Sequence, residues 1–320
     1  MSSEGLVISK SILIEYENYN QKEVNIPEGI KCIDSGVFYN HAELAKITIP
    51  SSVVEIRSEV FSGCSGLTSI ELPDGVISIG RYAFFNCANL IKIIIPSKVK
   101  EIEDHTFYDC TALENVEISG GITYIGEKAF SGCSRIKSIE IPDSVEAIDE
   151  EAFSDCSSLN SVIIPKNISE VGKDVFKGCE ELTDVEIRNI SIIAKEKLFS
   201  SGTNINHIKY YDQELNIIYD IVKKPFRIEI VMPDKSKYEV PEFAKYVQNI
   251  KGFKFSVNIL INLTTPNSRE QLCQELLVSM PKDNNKAFSG INSYCKKYNI
   301  VATNNKSSNL NGSKISVGKK

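Results

Sequence analysis

The sequence contains no tryptophan, only three histidines and no CxxC pair, so it is poor in side chains that many enzymes and zinc sites use. It also lacks GxSxG, HExxH, P-loop and GxGxxG motifs, which excludes the common arrangements for nucleophilic, zinc and phosphate-cradling chemistry. Carboxylates are plentiful, but carboxylate pairs on a repeat surface are more typical of a solvated face than of a glycosidase site. We therefore predict that the protein is not an enzyme and has no catalytic residues, no cofactor and no metal site.

No apolar run approaches the roughly 20 residues that a membrane-spanning helix needs. The amino-terminal stretch MSSEGLVISKSILIEYENYN has no basic region before its apolar residues, which is not typical of a signal peptide. Both absences favour a cytoplasmic location. The formal net charge is -6, yet seven lysines follow the last acidic residue, Asp283. We interpret residues 301–320 as a disordered basic tail, for which at most a weak contact with nucleic acid is expected.

Phenylalanine recurs at a fixed interval of 23 residues along much of the chain. Eight of the fourteen phenylalanines share this lattice: Phe38, Phe61, Phe84, Phe107, Phe130, Phe153, Phe176 and Phe199. Six of the eight repeats carry cysteine three residues later: Cys64, Cys87, Cys110, Cys133, Cys156 and Cys179. A fixed period of this length predicts a solenoid, in which each coil buries its apolar side chains against its neighbours. We expect these phenylalanines and cysteines to form buried structural ladders, with the cysteines as free thiols, because stacked side chains that point the same way have poor disulfide geometry.

Other apolar positions keep the same step. Leucine or isoleucine occurs six residues after each lattice phenylalanine, isoleucine or valine nine residues after it, and proline in five repeats twelve residues after it. The unit is AFxxCxxLxxIxIPxxVxxIxx, as in AFSGCSRIKSIEIPDSVEAIDE from Ala129. Because proline ends a strand, each coil should contribute one strand of a parallel sheet, and the segment around the phenylalanine should form the return turn.

This unit closely resembles the BspA-like, or treponemal-type, leucine-rich repeat, which has the same AF, C, LxxIxIP and VxxI elements at the same spacing. The resemblance covers about 200 of the 320 residues. It implies an α/β leucine-rich-repeat solenoid that is mainly β and right-handed. It also implies a role in adhesion or protein binding, often at a cell surface, but it names no ligand.

The lattice and its ends divide the chain. Glu15 stands at the first phenylalanine position, whereas Arg188 and Gly202 replace proline and cysteine near the other end. We predict an N-terminal capping hairpin, the solenoid, a β-rich C-terminal cap or small domain, a helical segment and the basic tail. Their ranges are 1–23, 24–211, 212–265, 266–300 and 301–320, so the C-terminal segment as a whole is predicted to be α+β.

The outward side chains of the predicted strands are the candidate binding residues, since side chains alternate between the two faces of a strand. Ten residues after the phenylalanine, one column holds four glutamates and two isoleucines: Glu71, Ile94, Glu117, Glu140, Ile163 and Glu186. Like charges on adjacent strands repel, so Glu117 beside Glu140 would call for a cation or a basic partner. The alternative is that exposed sheet positions simply hold polar residues.

We conclude from the sequence that the chain is a non-catalytic binding or adhesion module, which presents its repeat surface to a protein or glycan partner. Two alternatives stay open. The solenoid is a structural spacer that displays the C-terminal segment, or an enzyme is seated in residues 212–320, although that segment has no histidine and no known motif.

Overall fold

The computed structural model describes residues 5–188, 205, 207–212, 217–223, 226–231 and 237–239, with side chains described up to residue 209. The chain divides into two compact units, residues 1–237 and 238–320. The first unit is a mainly-β solenoid of 23-residue coils, which confirms the predicted fold class, and its described residues form no helix. The predicted helical segment 266–300 and the tail 301–320 lie outside the described residues.

Parallel strands that begin eight residues after each lattice phenylalanine form one face of the solenoid, the strand face. They are β3 (Glu23–Asn25), β5 (Lys46–Thr48), β8 (Lys92–Ile95), β10 (Asn115–Ile118), β12 (Ser138–Glu140), β14 (Ser161–Ile164), β16 (Asp184–Ile187) and β17 (His207–Asp212). Their hydrogen bonds join β3 to β5, β8 to β10, and β12 through β14 and β16 to β17. The coil between β5 and β8 contributes an isolated bridge from Ser69 to Lys92.

A second ladder of strands corrects the prediction of one strand per coil. The VxxI segments form two-residue parallel strands on a separate face, the short-strand face. They are β4 (Cys32–Ile33), β6 (Glu55–Ile56), β7 (Ser78–Ile79), β9 (Glu101–Ile102), β11 (Tyr124–Ile125), β13 (Ala147–Ile148) and β15 (Glu170–Val171). The second residue of these strands is buried in most coils, as Ile125 and Ile148 are. The core is therefore held between two sheets and the return turns.

The return turns form a third ladder, the turn face. In every coil from Phe38 to Phe176, the residues two before and two after the phenylalanine have φ between 51° and 77°. This left-handed backbone lets the amide of each phenylalanine donate to the next coil, as in the 2.8 Å bond from Phe107 N to the carbonyl of Ala129. Adjacent coils are thus hydrogen-bonded through their turns as well as through their strands.

The lattice phenylalanines form a continuous stack inside the coils. The seven rings from Phe38 to Phe176 are fully buried, and neighbouring ring centroids lie 5.2–5.6 Å apart with interplanar angles of 1–22°. Phe199 lies outside the described residues. At the amino-terminal end Tyr16, one residue beyond the lattice position of Glu15, places its ring 5.2 Å from that of Phe38. Tyr16 therefore closes the stack where the lattice has no phenylalanine.

The amino-terminal cap is an antiparallel hairpin of β1 (Leu6–Ser9) and β2 (Ile12–Tyr16), and β2 pairs with β4 to join the cap to the short-strand face. At the other end, β17 runs parallel to β16 and is followed by the antiparallel strands β18 (Ile217–Lys223) and β19 (Phe226–Val231). A last described strand, β20, spans Lys237–Glu239. Hairpin strands therefore continue the sheet where the repeat ends.

The six lattice cysteines are buried free thiols that join successive coils. Each thiol donates a hydrogen bond of 3.0–3.2 Å to the carbonyl of the phenylalanine in the preceding coil, as Cys110 does to Phe84. Burial raises the pKa of Cys110 to about 12. A small side chain with a weak donor fits this position, because the site is apolar except for that one carbonyl.

These thiols are expected to react slowly in the native protein, because thiolate is the reactive form and both burial and the raised pKa suppress it. With the seven described cysteines buried, brief iodoacetamide treatment of the native chain should add at most two labels, at Cys273 and Cys295. Treatment in denaturant should add nine. Rapid addition of more than two labels to the native protein, read by intact mass, would contradict the buried ladder.

Candidate functional site

The predicted binding column lies on the strand face and is ordered into two identical groups. Strand register places Ile94 opposite Glu117, and the bridge from Ser69 to Lys92 places Glu71 on the other side of Ile94. Register likewise places Ile163 between Glu140 and Glu186. We call Glu71–Ile94–Glu117 the first triad and Glu140–Ile163–Glu186 the second triad. Corresponding residues are three coils apart.

The two triads differ in exposure, which corrects part of the prediction. Glu71, Glu117 and Glu140 are exposed, and Ile94 is 44 % exposed. Ile163 and Glu186 are instead half-buried. Both lie on strands that have a hydrogen-bonded neighbour on each side, from β12 through to β17, so adjacent side chains cover part of their surface.

Internal bases neutralise the last glutamate of each triad. Lys92 Nζ lies 2.6 Å from Glu117 Oε1, and Arg188 Nε lies 2.8 Å from Glu186 Oε1. This hydrogen bond raises the pKa of the Arg188 guanidinium. Within the described part of the chain, no ion pair involves Glu71 or Glu140. The first glutamate of each triad has no direct ion pair, and only Glu140 is attracted at longer range by Arg188, so both carboxylates remain able to bind an external cation.

The repulsion between Glu117 and Glu140 stays a prediction, because the two glutamates lie on successive coils but no strand register pairs them. Strands β10 and β12 belong to separate hydrogen-bonded sheets, so these two glutamates are not register partners in either sheet. Glu117 instead pairs with Lys92 on its other side. Within the acidic column, only Glu71 and Glu140, which have no direct ion pair among the described residues, therefore point to an external partner.

An aromatic cluster on the turn face escaped the sequence argument. Tyr82 stacks on His105 with ring centroids 4.6 Å apart, and Phe85 stacks on Tyr108 at 5.4 Å. The sequence does distinguish these two coils, because other coils hold serine or charged residues at several of the positions that are aromatic here, as Ser131 shows. The stacked rings belong to successive coils and cover one another's faces. The cluster therefore fits a role in joining two coils better than a role in binding a ligand.

Two histidines are held neutral by their surroundings. His41 occupies the cysteine position of its coil, stacks on Tyr19 at a centroid distance of 4.2 Å and has no partner for Nε2. His105 has no partner for Nδ1. Burial lowers the pKa of both imidazoles below the ordinary value. Protonation would place a charge in an apolar stack that offers neither ring a full set of acceptors.

The free energy of unfolding should therefore fall as the pH drops below about 6.5, the ordinary histidine pKa. Below that pH the unfolded chain takes up protons that the folded chain resists, so stability is complete above it and is lost towards the lower folded pKa. Urea titrations from pH 8 to pH 5.5 measure the slope. His41→Cys combined with His105→Gln should flatten it, and an unchanged slope in that variant would rule out these two groups as its source.

The described residues supply no obvious chemistry. Within them, no group of three or more histidine, cysteine, aspartate or glutamate side chains could hold a metal ion. None of their segments forms a helix that is long and apolar enough to cross a membrane.

Comparison with known proteins supports the repeat assignment. The family model described as a BspA type leucine rich repeat region matches residues 14–137 and 123–222, in six copies. A leucine-rich repeat protein from Eubacterium ventriosum shares 28% identity and a TM-score of 0.51, with 54% of this chain and 47% of that chain covered. One from Bacteroides ovatus shares 33% identity and a TM-score of 0.45, with 52% and 49% covered. The chain thus spans about half the length of these solved proteins, and no curated protein matches it.

Proposed function

Because this chain belongs to the BspA-type leucine-rich repeat family, we propose that it is a non-catalytic binding module whose strand face docks a protein partner. Leucine-rich repeats typically serve as surface or binding modules, which supports a role in binding. The family likeness also favours a role in adhesion at a cell surface. Protease treatment of intact native cells tests that location, since a surface protein is cleaved and an internal one is spared.

A pair of exposed isoleucines carries the proposal. Ile91 and Ile94 on and beside β8 are 45 % and 44 % exposed, whereas Ile93 and Ile95 of the same strand are fully buried. Ile94 points outward from the strand face, where register places it beside Glu71, and Ile91 adds a second exposed apolar side chain just before the strand. An apolar centre with a polar rim is the usual composition of a protein interface, and a lone exposed apolar residue is not.

The test replaces both isoleucines by threonine, which keeps the branched β-carbon that strands favour and removes apolar surface. Ile77→Thr is the matched control, because Ile77 is 55 % exposed but precedes β7 on the short-strand face. Affinity capture from native cells, quantified by mass spectrometry, identifies the partner of the unsubstituted chain. The Ile91→Thr/Ile94→Thr variant should no longer capture that partner, and the Ile77→Thr variant should still capture it. Equal capture by all three proteins would refute docking on the strand face.

Truncation separates a binding solenoid from a spacer. Cutting after Glu239, two residues past the boundary between the compact units, keeps β18, β19 and β20 intact, whereas a cut at residue 212 would remove them. The proposal expects the truncated chain to retain the partner. A spacer that displays the C-terminal segment 212–320, or an enzyme seated in that segment, would lose the partner once residues 240–320 are removed.

A further inference from the structure

We infer that the strand face binds an extended, basic polypeptide segment through two sites, one at each triad. This inference rests on the proposed function and names its partner class. It starts from a repetition within the repeat: the order Glu, Ile, Glu occurs twice on successive coils, in the same column and the same strand register. In the described coil before the first triad, the corresponding residue is Thr48.

The same member of each triad, the last glutamate, has an ion pair within the chain. In both triads the last glutamate has an internal base, Lys92 for Glu117 and Arg188 for Glu186. The first glutamate, Glu71 or Glu140, has no such base within 4.0 Å among the described side chains. Each triad therefore offers one carboxylate without a direct ion pair beside one isoleucine, which is exposed in the first triad and half-buried in the second. The complementary ligand has a lysine or arginine next to an apolar side chain, at two points.

The distance between the sites fits an extended chain. Glu71 and Glu140 are three coils apart, and the coils between them are spaced 5.2–5.3 Å apart in the phenylalanine stack. The two carboxylates are therefore separated by on the order of 15 Å, and an extended chain advances about 3.3 Å per residue. Cations four residues apart lie on one side of such a chain and reach both carboxylates with their flexible stems.

Other ligand classes fit this face poorly. Nucleic acid carries the same sign of charge as the open carboxylates. A sugar would favour an exposed aromatic face, whereas the described outward positions of the strand face hold no aromatic side chain from Lys46 to Glu186. An extended basic polypeptide meets both features at once, the carboxylates and the isoleucines.

The experiment uses the full chain and a fluorescent nine-residue probe peptide with two Lys-Val pairs whose lysines are four residues apart. One comparison peptide has glutamate in place of lysine, and another has the lysines adjacent. Fluorescence anisotropy should show binding of the first probe that weakens with salt, because exposed charges are screened. Glu71→Gln and Glu140→Gln should each weaken it about three- to five-fold, the range of an exposed ion pair.

A matched control exists on the other side of the solenoid. Glu101 and Glu170 are exposed, three coils apart, and lie on the short-strand face. Glu101→Gln/Glu170→Gln changes the net charge as much as Glu71→Gln/Glu140→Gln and should leave binding within two-fold of the native value. Circular dichroism and urea midpoints confirm that both variants fold.

Several results would overturn the inference: no binding of the first probe, equal binding of the glutamate probe, or equal losses in both double variants. Equal affinity for the probe with adjacent lysines would overturn the two-site spacing. These failures are distinguishable from failure of the proposed function. If Ile91→Thr/Ile94→Thr abolishes partner capture while the probe binds without regard to Glu71 and Glu140, the strand face docks a partner that is not a basic extended segment.

Discussion

Replacing Phe107 with alanine is expected to lower the free energy of unfolding by about 3–5 kcal/mol. The ring is fully buried, with the rings of Phe84 and Phe130 stacked on its two sides at 5.3 and 5.2 Å. Truncation removes apolar contacts and leaves a cavity between coils whose backbones are fixed by the turn-face hydrogen bonds. Urea titration followed by circular dichroism measures the loss.

Tyr39→Ala is the control for this prediction, because Tyr39 follows Phe38 in the same kind of turn but is 46 % exposed. Its loss should be smaller than that of Phe107→Ala, since nearly half of the residue stays in contact with water. A loss in Phe107→Ala no larger than that of Tyr39→Ala would show that the stack contributes little to stability.

The second large effect is expected for Gly126→Ala, with a loss of about 1–3 kcal/mol from overpacking. A β-carbon at residue 126 would lie 2.7 Å from Asp104 N and 2.8 Å from Glu103 C in the preceding coil. Both are backbone atoms, so no side-chain rotation relieves the contact. The coils would have to separate beside β11, where Gly126 N also donates to Ile102 O at 2.8 Å.

Gly120→Ala provides the matched control. A β-carbon there meets nothing within 4 Å, and its φ is outside the left-handed region. The expected change is within about 0.5 kcal/mol, and its sign favours stability because alanine restricts the unfolded chain. Similar urea midpoints for the two variants would show that the coils are not in close contact at residue 126.

Much of the fold was predictable because its strongest determinant is a period. The interval between Phe38 and Phe61 recurs with cysteine, leucine, isoleucine and proline in phase, and a core shared between coils requires that recurrence. The same lattice identified which side chains of β8 and β10 point outward. Alternation within a strand is a property of the backbone and needs no knowledge of distant contacts.

The missed features have no such local signal. A two-residue strand such as Glu101–Ile102 is too short for alternation to be visible in sequence. The left-handed residues of the turn face include Tyr82 and Lys128, residue types that do not announce that conformation. The hydrogen bonds to the next coil stabilise them there, and such bonds are visible only once the coils are stacked.

For the candidate site, the sequence predicted the column but not its pairing. Glu117 and Glu186 are indistinguishable from Glu71 and Glu140 by lattice position. What separates them is Lys92 in the neighbouring coil for Glu117, and Arg188 just after the end of β16 for Glu186. Side-chain partners of this kind depend on rotamers and register. The repeat constrains the register and leaves the rotamers open.

Docking on the strand face is the central claim, and carboxyl footprinting tests it most directly. The chain is labelled with a carbodiimide and glycine amide, with and without its captured partner, and modification of each glutamate is quantified by peptide mass spectrometry. We expect the partner to protect Glu71 and Glu140 from labelling, whereas Glu101 and Glu170 on the short-strand face should be labelled equally with and without the partner. Protection of Glu101 and Glu170 with unchanged labelling of Glu71 and Glu140 would contradict docking on the strand face.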